Sequence, residues 1–152
     1  MGAEVARATV VSGGRQRWGE GGSHAAWDLD AMGKTIVHAD DSPSVRRWVA
    51  EQLSGLDVKV VSVSDGAAAL KVLRESPCDL LLTDLEMPTL DGLALAAAVR
   101  ELPAFRFLPV LILSSRKPTD VEAERRQGIT GWITKPIDPE HLRRWVRRSL
   151  PR

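Results

Sequence analysis

Residues 80 to 88 read Leu80-Leu81-Leu82-Thr83-Asp84-Leu85-Glu86-Met87-Pro88. A short apolar run closed by an acid and a proline reads as a strand buried on both faces. Strands of that kind sit in parallel sheets covered by helices, so the flanking sequence should alternate short apolar runs with longer amphipathic ones. That alternation extends from Lys34 to the end of the chain. Strand candidates are Thr35 to Ala39, Val58 to Val63, Leu80 to Thr83, Val110 to Leu113 and Gly131 to Thr134. Ser42-Pro43 supplies an N-cap and an N1 proline, and Val45, Trp48, Val49 and Leu53 then recur at helical spacing. Asp65 caps a second helix through Leu70 and Leu73, and Asp91-Gly92 opens a third through Leu95 and Val99. Pro118 to Gln127 reads as a fourth, and Asp138-Pro139 begins a fifth through Leu142, Trp145 and Val146. The expected fold is α/β, a (βα)5 unit with a doubly wound five-stranded parallel sheet.

Composition limits what that unit can be. With 152 residues, 43% hydrophobic and 27% charged, the chain is long enough for one continuous core and too short for two ordinary ones. A formal net charge of +1 makes no case for nucleic acid or an anionic membrane. Cys78 is the only cysteine, which excludes an internal disulfide and a multi-cysteine zinc site and fits a reducing, cytoplasmic setting. No apolar run approaches the roughly 18 to 20 residues of a membrane span. Residues 1 to 32 contain Gly13-Gly14, Gly19 and Gly21-Gly22 without a sustained hydrophobic period, and read as a flexible extension before a domain at 33 to 152. Met32 is an alternative start, and Trp18 and Trp27 would anchor the segment if it were a docking tail. No DNA-binding domain is expected after Leu150, so direct DNA contact is not expected.

In open α/β sheets, ligands bind beyond the carboxyl ends of the strands near a switch point. Asp40 and Asp41 follow the first strand, Asp84 the third, Ser114 and Ser115 the fourth, and Lys135 the fifth. A single strand-end aspartate is usually a turn former or helix cap. Three carboxylates at one edge repel one another, and a hard divalent cation with oxygen ligands holds them together most simply. Mg²⁺ suits this set, because zinc would want His or Cys that the edge lacks. A carboxylate beside such an ion can attack a phosphoryl group in line, which makes Asp84 the candidate nucleophile. Lys135 would supply positive charge to the phosphoryl oxygens and Ser114 a hydroxyl donor. His24, His38 and His141 are too dispersed for a metal or catalytic site. Arg143, Arg144, Arg147, Arg148 and Arg152 make the last helix basic, either as a solvated face or as a surface for an acidic partner.

The motifs Ile36-Val37-His38-Ala39-Asp40-Asp41-Ser42-Pro43, Leu80 through Pro88, Asp91-Gly92, Ser114 and Thr134-Lys135-Pro136 resemble the response-regulator receiver family, especially its stand-alone, chemotaxis (CheY-like) type. The resemblance covers about Lys34 to Leu150 and implies the flavodoxin-like strand order 2-1-3-4-5. It implies that Asp40, Asp41, Asp84 and the backbone carbonyl of Glu86 bind Mg²⁺. Asp84 would be the phosphoacceptor, supplied by a sensor histidine kinase or a histidine phosphotransfer protein, with Ser114 and Lys135 sensing the phosphoryl group. The switch aromatic of the fifth strand would be Trp132, where the family more often has Tyr or Phe, and the bulkier indole is expected to stay in one orientation. Pro136 would follow a cis peptide bond. Glu86 and Arg116, two residues beyond the acceptor and the hydroxyl, would flank the path of hydrolytic water and tune the lifetime of the phosphorylated state. Output would pass through the face of the fourth helix, fifth strand and fifth helix to a downstream protein, with only self-catalysed phosphorylation and dephosphorylation as chemistry. A phosphate sink or relay carrier without its own output partner is the alternative. A haloacid-dehalogenase-like phosphatase is disfavoured, since an Asp-x-Asp motif is missing around Asp84.

Overall fold

A computed structural model describes residues 9–12 and 33–151. Its strands are β1 (Thr9–Ser12), β2 (Lys34–Ala39), β3 (Val58–Val63), β4 (Leu80–Asp84), β5 (Val110–Ser114) and β6 (Gly131–Thr134). They form one sheet in the order β1-β3-β2-β4-β5-β6. From β2 to β6 every pairing is parallel, which is the expected five-stranded 2-1-3-4-5 arrangement. The helices are α1 (Pro43–Leu53), α2 (Gly66–Glu75), α3 (Gly92–Arg100) and α4 (Pro139–Ser149).

Each helix starts where a side-chain oxygen replaces a missing backbone acceptor. Ser42 Oγ accepts from Val45 N at 3.3 Å, Asp65 from Ala68 N at 2.7 Å, Asp91 from Ala94 N at 2.7 Å and Asp138 from His141 N at 3.1 Å. A cap of this type contributes about 1 kcal/mol. The sheet separates two apolar layers. Val37, Leu81 and Ile112 pack with Leu73 of α2 and Leu95 and Val99 of α3 on one face. Ile36, Leu80, Leu82 and Leu113 pack with Val49 and Leu53 of α1 and Leu142 and Val146 of α4 on the other. Successive side chains of a strand point to opposite faces, so the Leu80–Leu82 run of β4 is apolar on both, and all five residues of the strand are buried. Trp48 and Trp145 are half-buried rim residues of the α1/α4 layer. Cys78 is half-buried, its Sγ lies 3.2 Å from the Leu80 carbonyl oxygen, and desolvation raises its pKa to about 11, so it is an inert thiol.

Two expectations are corrected. Thr9 to Ser12, expected within a flexible extension, form an antiparallel edge strand on β3, with Thr9 opposite Ser62 and Ser12 opposite Lys59. Four residues are too few to show a period, and the pairing depends on the open edge of β3, which offers unpaired N–H and C=O groups. The other residues of the 1 to 32 segment, with Met32, Trp18 and Trp27, lie outside the described residues.

The second correction concerns Pro118 to Gln127, which do not form a fourth α-helix. They make two short 3-10 turns, Pro118–Asp120 and Ala123–Arg126. Helices in proteins persist mainly by packing an apolar stripe, and this segment offers only Val121 as a large apolar side chain. Asp120 Oδ2 also accepts from Lys117 N at 3.0 Å, and Arg126 Nε donates to the Val121 carbonyl at 3.2 Å, so local polar bonds hold the turns instead. The fifth predicted helix is therefore α4, and the fifth predicted strand is β6.

Candidate functional site

The carboxyl ends of β2, β4, β5 and β6 carry the polar residues of one cleft. Parallel pairing aligns those ends: Ala39 lies opposite Thr83, Asp84 opposite Leu113, and Ser114 opposite Thr134. Asp40 follows β2 directly and is 1% exposed, Asp84 ends β4 at 8%, and Asp41 is exposed. One oxygen from each of these three carboxylates lies within 4.8 Å of the others. Lys135 Nζ, at the end of β6, stands 3.5 Å from Asp84 Oδ1 and 3.8 Å from Asp40 Oδ2. Ser114 is 2% exposed, and its Oγ accepts from Arg116 N at 3.0 Å.

Backbone and neighbouring side chains fix the acids. Asp40 Oδ1 accepts from Ser42 N at 2.9 Å, and the Asp40 carbonyl accepts from Arg46 Nη1 at 2.6 Å. Thr83 Oγ1 donates to the Asp84 carbonyl at 2.9 Å, and Lys135 N donates to the Ser114 carbonyl at 2.7 Å. Gly92 N donates to the Leu85 carbonyl at 2.8 Å, which draws the start of α3 against the β4 terminus. The Lys135–Pro136 peptide bond is cis. On the outer rim Arg116 Nε pairs with Glu86 Oε1 at 2.7 Å, and Trp132 Nε1 donates to the Arg116 carbonyl at 2.8 Å.

Electrostatics at the site is dominated by crowding of like charges in a poorly solvated place. Desolvation, above all, raises the Asp40 carboxyl above its ordinary range, with Asp84 and Asp41 pushing the same way. Asp84 is raised for the same first reason and by Asp41, while Lys135 pulls it down. Asp40 Oδ2 is buried with no hydrogen-bond partner among the described residues. A buried oxygen without a partner, on one of three converging carboxylates, fits a hard divalent cation, which would satisfy it and relieve the repulsion.

Beside Lys135, a groove of about 440 Å³ runs between α1 and the β6–α4 connection, lined by Ser44, Val45, Trp48, Lys135, Pro136 and Ile137. All the residues singled out on strand ends thus share one cleft, except Ser115, which is exposed. Arg46 and Thr83 were not assigned roles from sequence, and Gly92 was read only as the opening of the third helix. Their hydrogen bonds go to backbone carbonyls of other elements or residues, and no local pattern announces them. His38, two residues before Asp40, is fully buried in β2, and neither ring nitrogen has a hydrogen-bond partner among the described residues.

The chain is 32% identical over 118 residues to the sensor histidine kinase CheAY of Helicobacter pylori, covering 76% of this chain and 15% of that protein. It is 33% identical over 114 residues to an uncharacterized 14.6 kDa protein of Leptolyngbya boryana, covering 74% of this chain and 87% of the relative. Among solved structures, the chemotaxis response regulator CheY4 of Vibrio cholerae superposes with a TM-score of 0.72 at 30% identity, over 77% of this chain and 98% of CheY4. The chain spans only 15% of CheAY and 11% of the sensor histidine kinase TmoS of Ectopseudomonas mendocina, so it resembles one module of those proteins. The response regulator receiver domain model matches residues 36–147, which contain every residue of the cleft, and the chain belongs to that family.

Proposed function

We propose that the chain is a receiver domain in which Asp84 takes a phosphoryl group from a histidine of a sensor kinase or phosphotransfer protein. The observation that carries this reading is the convergence of Asp40, Asp41 and Asp84 on one side of Lys135, with the buried Ser114 hydroxyl on the neighbouring strand. An Asp84 carboxylate oxygen forms the new O–P bond as the donor's N–P bond breaks, and the imidazole leaves with the electron pair. Lys135 favours the ionised form of Asp84 and offsets charge on the transferring oxygens, and Ser114 would donate its O–H to one of them. Asp40, Asp41, Asp84 and the Glu86 carbonyl would hold Mg²⁺, which supplies neutralisation of phosphoryl charge. Release by water needs no further protein group in this reading, so both phosphorylation and dephosphorylation are self-catalysed. A cytoplasmic location belongs to the same reading, and no described helix is long and apolar enough to cross a membrane.

The groove beside Lys135 shares that residue with the acceptor cleft, and a histidine-bearing helix of the phosphodonor would seat there. Output would leave through the 3-10 turns at Pro118–Asp120 and Ala123–Arg126, β6 and α4, toward a downstream protein. Because the expected fourth helix is replaced by turns, a phosphate sink or relay carrier without an output partner is the second reading. The deciding experiment is Mg²⁺-dependent labelling with acetyl phosphate, followed by intact mass. Wild type should gain one phosphate adduct that Asp84→Asn loses. An adduct retained by Asp84→Asn, or none in wild type with Mg²⁺ present, overturns the assignment. Pull-down with and without an acyl-phosphate mimic separates the two outputs, since a sink captures no phosphorylation-dependent partner.

A further inference from the structure

Without β1, β3 would be an edge strand with little to blunt it. Its residues, Val58-Lys59-Val60-Val61-Ser62-Val63, are buried apart from the half-buried Lys59, include no proline and carry one charge. Asp40 N donates to the Val63 carbonyl at 3.1 Å, so Val63 turns its backbone groups toward β2. Successive backbone groups of a strand alternate between its two edges, which turns those of Val60 and Ser62 outward. The register sets Val60 opposite Val11 and Ser62 opposite Thr9, so β1 takes up those outward groups. Ser12 lies opposite Lys59 and Lys34 opposite Val58, so the connection from β1 to β2 leaves and returns at the same end of β3. A tether of that kind holds β1 beside β3 at an effective concentration on the order of millimolar.

We propose that β1 guards a self-association edge: with Thr9–Ser12 withdrawn, β3 pairs antiparallel with β3 of a second copy. The edge is its own complement. About a two-fold axis at Val61, Val60 of one copy faces Ser62 of the other, the same two-residue spacing at which β1 presents Thr9 and Val11. In that register Lys59 falls opposite Val63, so the two lysines do not meet. A four-residue ladder is a marginal contact, and its tether is what lets it hold the edge against a second copy at ordinary concentrations.

The test compares the full chain with Val11→Pro, whose lost N–H faces β3, and with Val10→Pro, whose N–H faces away and leaves the ladder intact. Sedimentation equilibrium reads association, and hydrogen exchange reads the Val60 and Ser62 amides. Val11→Pro should dimerise with an association constant at least about tenfold above that of wild type, the scale of one to two net backbone hydrogen bonds, while Val10→Pro should match wild type. In dilute Val11→Pro the two amides should exchange freely, and they should regain protection as the dimer forms. Adding Ser62→Pro removes an outward donor, spares the pairing with β2 and should return the constant to the wild-type level. Val11→Gly, which weakens the strand without a ring, should move the constant in the same direction and serves if the proline variant does not fold. A β1-weakened variant that is folded, stays monomeric and exchanges both amides freely at every concentration overturns the proposal. A dimer that survives Ser62→Pro places the association on another surface and overturns it as well. Wild type that dimerises as strongly as Val11→Pro does the same, since β1 would then guard nothing.

Discussion

Replacing His38 with leucine should make the protein more stable, and the gain should grow as the solution is acidified. His38 lies in the middle of the sheet with 0% exposure, and neither ring nitrogen has a hydrogen-bond partner among the described residues. Ser62, its register partner on β3, has a buried hydroxyl that likewise finds no partner among the described residues. Burying a polar group without a partner costs about 1–3 kcal/mol, and leucine is close to histidine in volume, so a gain of that order is expected at pH 7.5. Acid adds a second contribution. Desolvation, helped by the charges of Arg46 and Lys135, lowers the His38 pKa from 6.5 to about 3. Between those two values the unfolded chain binds a proton that the folded protein refuses. Stability is therefore lost as pH falls below 6.5, at about 1.4 kcal/mol per unit, or about 2 kcal/mol by pH 5. Asp40 and Asp84, whose folded pKa values are raised, act in the opposite sense, gaining stability as pH falls toward the ordinary carboxylate range. They are present in both proteins, so the difference between wild type and His38→Leu isolates the histidine. Urea unfolding at pH 7.5, 6.5, 5.5 and 5.0 measures it. A difference that stays constant across this series would refute the claim that His38 is held neutral by burial.

Two further outcomes follow from the same geometry. A Cβ on Gly92 would collide with the Asp84 carbonyl oxygen, which is backbone and cannot swing aside. Gly92→Ala should cost about 1–3 kcal/mol in thermal or urea unfolding and should slow acetyl phosphate labelling by displacing the β4 terminus; a neutral variant with normal labelling would contradict the close packing of α3 on Asp84. Lys135→Met removes the cation shared by Asp84 and Asp40. At pH 7.5 without Mg²⁺ it should lower stability by about 1–3 kcal/mol, with part of the loss recovered by pH 5 as the carboxylates protonate in the folded state; a loss independent of pH would mean that Lys135 acts by packing alone.

The strand runs and four of the five helices were legible because their determinants are local. Leu80-Leu81-Leu82, closed by an acid and a proline, fits a strand covered on both faces, and Ser42, Asp65, Asp91 and Asp138 each cap the helix that begins beside them. Pro118 to Gln127 failed because a fair helical propensity without an apolar stripe does not survive once there is nothing to pack. Glu86 and Arg116 were singled out by resemblance, and their pairing appears in the fold at 2.7 Å. The hydrogen bond from Trp132 to the Arg116 carbonyl was not foreseen, since it depends on how far the indole reaches from β6.

Composition and pattern alone point to an α/β unit of parallel strands and carry Asp40, Asp41, Asp84, Ser114 and Lys135 to one sheet edge, because parallel register aligns chain-distant strand ends, while the strand order came with the family resemblance. The burial of Asp40 and His38, the orphaned Asp40 oxygen, the anchoring of Arg46 and the capture of Thr9–Ser12 by the β3 edge arise only in three dimensions. Each depends on solvent exclusion or on an unpaired backbone edge created by residues far away along the chain, and neither quantity exists until the chain has closed on itself.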